Sequence, residues 1–97
     1  MKRYYVYVLR SKKDGRKYIG YTANLSRRLL QHNNGDVIST RFRRPLDLIF
    51  YEAYLNQSDA LRREDYFKTT AGKRALKIML REYLKENSNP VIDIENN

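Results

Sequence analysis

Three groups of residues in this chain break local rules in ways that chemistry would explain. Glu64 is a carboxylate on the apolar arc of a segment with helical period, together with Ala60, Leu61 and Phe67. A carboxylate held there needs a cation, because burying the charge without a partner costs several kcal/mol in effective terms. Either a metal ion or one of the many arginines could supply it. Arg28 and His32 stand four residues apart, and the helix they imply also presents Leu25 and Leu29, so both polar groups lean toward whatever that face covers. Arg27 points about 100° away and reads as a solvated charge. A lone histidine of this kind is more often a satisfied imidazole than a ligand or a base. Finally, the chain has nine tyrosines and no tryptophan, and Tyr7 and Tyr18 fall on two adjacent strand-like segments. Most such tyrosines only pack and hydrogen-bond.

These groups must be positioned by a small number of elements. Tyr4 to Arg10 alternates as a strand that is apolar on both faces, so it must be covered on both. Lys12-Lys13-Asp14-Gly15 supplies a turn, and a second strand begins at Lys17, which makes a hairpin with a basic tip. Thr22 or Asn24 caps a helix that runs through Leu25, Arg28, Leu29 and His32 and stops before Gly35. From Asn34 to Pro45 the chain is polar, basic and aperiodic, and reads as a mobile or strand-edged loop near phosphate. Leu46 to Tyr54 alternates again, with Leu46, Leu48, Phe50 and Glu52 on one side, and is read as the central strand. Ser58 caps the helix that carries Glu64, with Asp59 in its first turn. Thr69 to Gly72 interrupts the pattern, and a last helix bears a packing stripe of Ala75, Leu76, Met79, Leu80 and Tyr83. The expected architecture is α+β, a small three-stranded, mainly antiparallel sheet flanked by three helices. One domain covers residues 1–86, and a polar, acidic, flexible tail covers 87–97.

Size and composition narrow the field. A chain of 97 residues supports one core. No run approaches the roughly 20 apolar residues that cross a bilayer, and the basic start leads into a strand pattern, so a cytoplasmic protein is expected. With no cysteine, disulfides and thiolate metal sites are excluded, and a hard cation on oxygen ligands fits best. Twenty Lys and Arg against eleven Asp and Glu give +9, and Glu86, Asp93 and Glu95 lie beyond Lys85, so the body of the chain is more basic still. Such charge attracts polyanions, nucleic acid first among them.

The spacing also carries a resemblance. Tyr5-Val6-Tyr7, ten intervening residues and Tyr18-Ile19-Gly20 resemble the two signature tripeptides of the GIY-YIG nuclease superfamily. Arg28 and His32 fall where that family keeps an arginine and a histidine or tyrosine. Ala60-Leu61-Arg62-Arg63-Glu64 is similar to the segment that carries its metal-binding glutamate. The likeness spans roughly residues 4 to 80 and is greatest to the small stand-alone bacterial members, which are related to the nuclease domain of the excision-repair C subunit. Two departures stand out. The first tripeptide begins with Tyr-Val, and the late asparagine of some branches has no counterpart, since Asn87 and Asn89 fall beyond the last helix.

The resemblance implies a metal-dependent DNA endonuclease, structure-selective or non-specific and linked to repair or recombination, with catalytic residues Tyr7, Tyr18, Arg28, His32 and Glu64. Glu64 would hold one Mg2+ or Mn2+ ion. Tyr7 would act as base, with its pKa lowered by nearby cations and metal-bound phosphate. Tyr18 would position water or phosphate, Arg28 would clamp the phosphate, and His32 would assist by hydrogen bonding. Gly20 would let the backbone pass close to the site. Lys12, Lys13, Lys17, Arg41, Arg43 and Arg44 would follow the DNA backbone, with RNA left open as a substrate and a protein partner as a source of specificity. The alternative is a nucleic-acid-binding module of the same fold that cleaves weakly or not at all.

Overall fold

Val6 to Leu9 is an uninterrupted buried run, and the strand that carries it, β1 (Tyr4–Ser11), is the middle of the sheet in a computed structural model that describes residues 1–87. A hairpin joins it antiparallel to β2 (Lys17–Thr22), and β3 (Leu46–Tyr54) pairs antiparallel with its other edge, giving the order β2-β1-β3. The expectation of a central third strand is therefore corrected. β3 exposes Asp47 and Tyr51, as an edge strand allows, whereas only β1 is apolar on both faces.

Directly paired residues share a face of the sheet. Tyr7 lies opposite Gly20 and Tyr51, while Val6 lies opposite Tyr21 and Glu52. An irregularity between Val8 and Leu9 sets Val8 against Phe50 but Leu9 against Leu48, so Ile49 is an extra residue in β3. The strict alternation read from the sequence is thereby broken. Leu46 and Leu48 pack with Tyr7 and Leu9, while Phe50 and Glu52 turn to the Val6 side.

Helix α1 (Leu25–Asn34) covers the Tyr7 face, with Leu25 and Leu29 packed against Tyr7, Leu9 and Leu46. Asn24 caps it by accepting from Arg27 N at 3.1 Å. Gly35 ends it at φ 85°, a left-handed conformation that costs glycine nothing. The segment read as a mobile or strand-edged loop instead contains a 3-10 turn, Arg41–Arg43, and is bonded along its length. Ser11 Oγ donates to Arg43 O at 2.6 Å, Asn33 bonds both backbone groups of Leu46, and Lys12 N donates to Pro45 O.

Helix α2 (Gln57–Lys68) is capped by Asn56, whose Oδ1 accepts from Ser58 N at 2.8 Å, and not by Ser58 itself. It is fastened to the Val6 face by Arg63 on Glu52 and by Gln57 Nε2 on the Tyr21 hydroxyl at 3.1 Å. On its supposed apolar arc Ala60 and Phe67 are buried and Glu64 is half-buried, but Leu61 is exposed.

By backbone contacts the chain divides into a unit ending at Asp65 and a second that begins at Tyr66. In the second, Thr69 caps α3 (Thr70–Met79) by accepting from Gly72 N, and Phe67 and Leu76 are buried. The single last helix expected from the stripe is divided at Leu80 into α3 and α4 (Arg81–Glu86), and Arg81 donates to the Ile78 carbonyl beside the break. The proposed tail lies, apart from Asn87, outside the described residues. No helix among the described residues is long and apolar enough to cross a membrane.

Candidate active site

The hydroxyl of Tyr7 is the centre of the site. Tyr7 projects from the middle strand, is wholly buried, and faces Gly20 across the β1–β2 pair. A β-carbon at Gly20 would run into the Tyr7 ring at Cζ and at the hydroxyl, so the absent side chain is what admits the phenol. Tyr18 stands on the same face with its ring centroid 6.4 Å from that of Tyr7.

The other partners come from α1. Because Leu25 and Leu29 turn that helix onto the sheet, Arg28 and His32 arrive at the phenol together. Tyr7 OH and His32 Nε2 are 2.7 Å apart, and Arg28 Nε donates to the same oxygen at 3.4 Å. The imidazole edge meets both tyrosine rings, 5.6 Å from Tyr7 and 5.1 Å from Tyr18 between centroids. His32 Nδ1 is 2.8 Å from Oγ1 of Thr40, a buried residue of the loop that precedes β3. Sequence reasoning missed Thr40. Nothing in its local pattern marks it, and only the loop's closure onto α1 brings it to His32.

Arg28 has only donors, so the Tyr7 oxygen accepts from it and can still donate to Nε2 or accept from it. With the proton of the imidazole assigned to Nδ1, Tyr7 donates to Nε2 and Nδ1–H donates to Thr40; the other tautomer reverses both bonds. With both nitrogens engaged, His32 is poorly placed to ligate a metal. Burial, helped by the Arg28 charge, holds its pKa down at about 4, so the imidazole is neutral at pH 7. For Tyr7 the protein's own groups do not supply the lowering expected from cations together with metal-bound phosphate. Burial raises its pKa, the Tyr18 and Glu64 charges add to the rise, and the hydrogen bond and charge of Arg28 oppose it without prevailing. The phenolate is not preformed.

Arg28 Nη1 donates to Gln31 Oε1 at 3.2 Å, and Arg28 has no carboxylate partner among the described residues. It opens on a cleft of about 410 Å³ lined also by Tyr21, Thr22, Asn24, Arg27 and Gln31. Arg27, read as a solvated charge, thus stands at the rim. Glu64 arrives from α2, the helix fastened to the opposite face, and its charge reaches the Tyr7 phenol. Among the described residues no three His, Cys, Asp or Glu side chains are grouped for a metal. A single carboxylate fits a magnesium-like ion, which keeps much of its water and takes substrate phosphate as a ligand.

The six cations expected to follow a polyanion divide into different environments. Arg43 is held by Asp14 at 2.9 Å and also donates to the carbonyls of Arg16 and Lys17. Arg43 in turn lowers the Asp14 pKa to about 2. Lys12 lies 3.7 Å from Asp47. Lys13, Arg41 and Arg44 line a second cleft, and Lys17 sits at the start of β2. Asn87 donates to the Tyr83 carbonyl at the end of α4, and Asn89 lies outside the described residues.

The family model described as the GIY-YIG catalytic domain covers residues 3–77, and the chain belongs to that family. Its relatives are small bacterial proteins of the UPF0213 group. The chain is 36% identical over 80 residues to a UPF0213 protein of Staphylococcus saprophyticus, covering 81% of this chain and 96% of that one. It is 42% identical over 87 residues to a UPF0213 protein of Pediococcus acidilactici, covering 87% and 83%. The solution NMR structure of a UPF0213 protein from Bacillus halodurans is similar at 34% identity with a TM-score of 0.51, over 79% of this chain and 84% of that one. Family membership supports a nuclease-type function acting on nucleic acid.

Proposed function

We propose that the protein is a divalent-metal-dependent DNA endonuclease in which Tyr7 and His32 together handle the proton of the attacking water. The observation that carries this reading is the buried hydrogen-bonded chain Arg28–Tyr7–His32–Thr40, in which a neutral imidazole lies 2.7 Å from the phenol oxygen.

A phenol whose pKa is raised is a poor base by itself. Its oxygen can take a proton from water as its own hydrogen passes to Nε2 of His32, 2.7 Å away, a transfer that must overcome the burial and the Arg28 charge that disfavour the imidazolium. Arg28 steadies the charge on that oxygen and presents its remaining donors to a phosphate, for which a planar guanidinium is suited. Thr40 holds the imidazole in the receiving tautomer. Tyr18 positions water or phosphate, and Gly20 keeps the space open. Glu64 would hold one Mg2+ or Mn2+ ion, whose charge offsets that developing on the phosphate and the leaving 3′ oxygen. Lys13, Arg41 and Arg44 would carry more of the backbone affinity than Lys12 and Arg43, which already face acids. Cleavage would be structure-selective or non-specific and would serve DNA repair or recombination in the cytosol.

The raised pKa of Tyr7 favours a second reading, a nucleic-acid-binding module that cleaves weakly. A magnesium titration of cleavage on single-stranded, duplex, flapped and branched DNA, with Glu64→Ala alongside, separates the two. The endonuclease reading predicts metal-dependent nicking that falls about a hundred-fold or more in the variant, with salt-sensitive binding retained. Equal nicking by both proteins, or none by the wild type on any substrate, leaves the binding module.

A further inference from the structure

Beside the loop that supplies Thr40, an open cleft of about 570 Å³ is lined by Lys13, Asn33, Arg41, Phe42, Arg44 and Pro45. None of the five proposed catalytic residues borders it. Its chemistry differs from that of the neighbouring basic surface. Lys12 and Arg43 face Asp47 and Asp14, whereas Lys13, Arg41 and Arg44 have no carboxylate partner among the described residues. Arg41 Nε is buried, yet it donates to nothing among the described residues. A buried donor left unsatisfied is costly, and an arriving acceptor would remove the cost. Arg44 braces this arginine by donating from Nε to the Arg41 carbonyl at 2.7 Å. Between them in sequence stands Phe42, a large apolar ring left 77% exposed.

Guanidinium groups seeking an anion around an exposed aromatic face match a nucleotide, with phosphate on the cations and base on the ring. In a duplex the faces of internal bases are covered by their neighbours, so a base that reaches Phe42 must be unpaired and unstacked. We propose that the Lys13–Arg41–Phe42–Arg44 cleft binds an unpaired nucleotide of the DNA substrate, its base stacked on Phe42 and its phosphate held by Arg41 and Arg44. The inference rests on the endonuclease reading for its choice of DNA, and it narrows the substrate to strands with single-stranded character next to the scissile bond. The covalent step from Thr40, on His32, to Arg41, in the cleft, ties the two sites together in the chain.

The test is binding without divalent cation, so that cleavage plays no part. Fluorescence anisotropy would compare the full chain on a blunt duplex, on the same duplex bearing a short thymidine flap, and on the same duplex bearing a flap of abasic sugars. The wild type is expected to bind the thymidine flap more tightly than the other two. Phe42→Ala should lose about ten-fold on the thymidine flap and nothing on the blunt duplex, while Phe42→Trp keeps the preference. Phe42 is mostly solvent-exposed, so these variants should retain the fold. Equal affinity for thymidine and abasic flaps, or a preference untouched by Phe42→Ala, overturns the proposal. A base-dependent preference in a protein that never nicks would sink the endonuclease reading and leave this site standing. Glu64-dependent nicking without the preference would do the reverse.

Discussion

On each face of the sheet a tyrosine and an arginine belong to one hydrogen-bond network, but the two networks end differently. On the Val6 face, Tyr54 donates to Glu52 at 2.6 Å and Arg63 donates to the same carboxylate at 2.9 and 3.2 Å. Charge meets charge there, and the arrangement fastens α2 to β3. Burial, with the Glu52 bond second, pushes the Tyr54 pKa up to about 12, so this phenol stays protonated. On the Tyr7 face, Arg28 bonds to a phenol and an amide and has no carboxylate partner among the described residues, and the phenol it touches lies 2.7 Å from a neutral imidazole. A closed network holds a fold together. An open one, with a cation to spare and an empty proton acceptor, is equipped to receive an anion and move a proton.

Two measurements can break or sharpen this contrast, and the larger effect belongs to His32. In the folded protein its pKa is about 4, against about 6.5 in an unfolded chain. The unfolded chain therefore takes up a proton first as the pH falls. His32 contributes its full stability above pH 6.5, loses it progressively toward pH 4, and contributes none below that. The upper bound is roughly 3.5 kcal/mol at about 1.4 kcal/mol per pKa unit. Urea unfolding between pH 7 and pH 4 should show this slope in the wild type and a flatter one in His32→Asn. Equal slopes would mean that the imidazole is not held neutral. Asp14, with a pKa of about 2, titrates below this window and does not confuse it.

The smaller effect belongs to the closed network. Glu52→Gln should cost about 1–3 kcal/mol of stability, because Arg63 loses its counter-charge in a partly buried setting. Urea unfolding at pH 7 checks it, and a midpoint equal to that of the wild type would show that the pair does not hold α2 to β3.

Much of this division could be read from residue spacing. Leu25 and Leu29 flanking Arg28 and His32 put both polar groups on the covered face of α1, and the eleven-residue step from Tyr7 to Tyr18 placed two phenols on paired strands. Those signals are periodic, so sequence carries them. What it did not carry depends on chain closure. Thr40 reaches His32 only because the loop folds back, and Arg43 is a tether to Asp14 only because the hairpin tip lies beside the 3-10 turn. The position of β3 at the edge and its extra residue opposite Val8 and Leu9 were hidden by an alternation that suits either an edge or a central strand. Burial also outweighs the protein's own cations at Tyr7. The cations around it are visible in sequence, but the desolvation that outweighs them is not.

The central claim is that the Tyr7 hydroxyl carries a proton in the chemical step and does more than pack. Single-turnover cleavage in saturating magnesium, with DNA affinity measured in parallel, tests it in Tyr7→Phe, a change that removes one oxygen and keeps the ring. The account predicts a rate lower by about a hundred-fold or more with affinity nearly unchanged. A loss of rate matched by an equal loss of affinity, or no loss of rate, would contradict it.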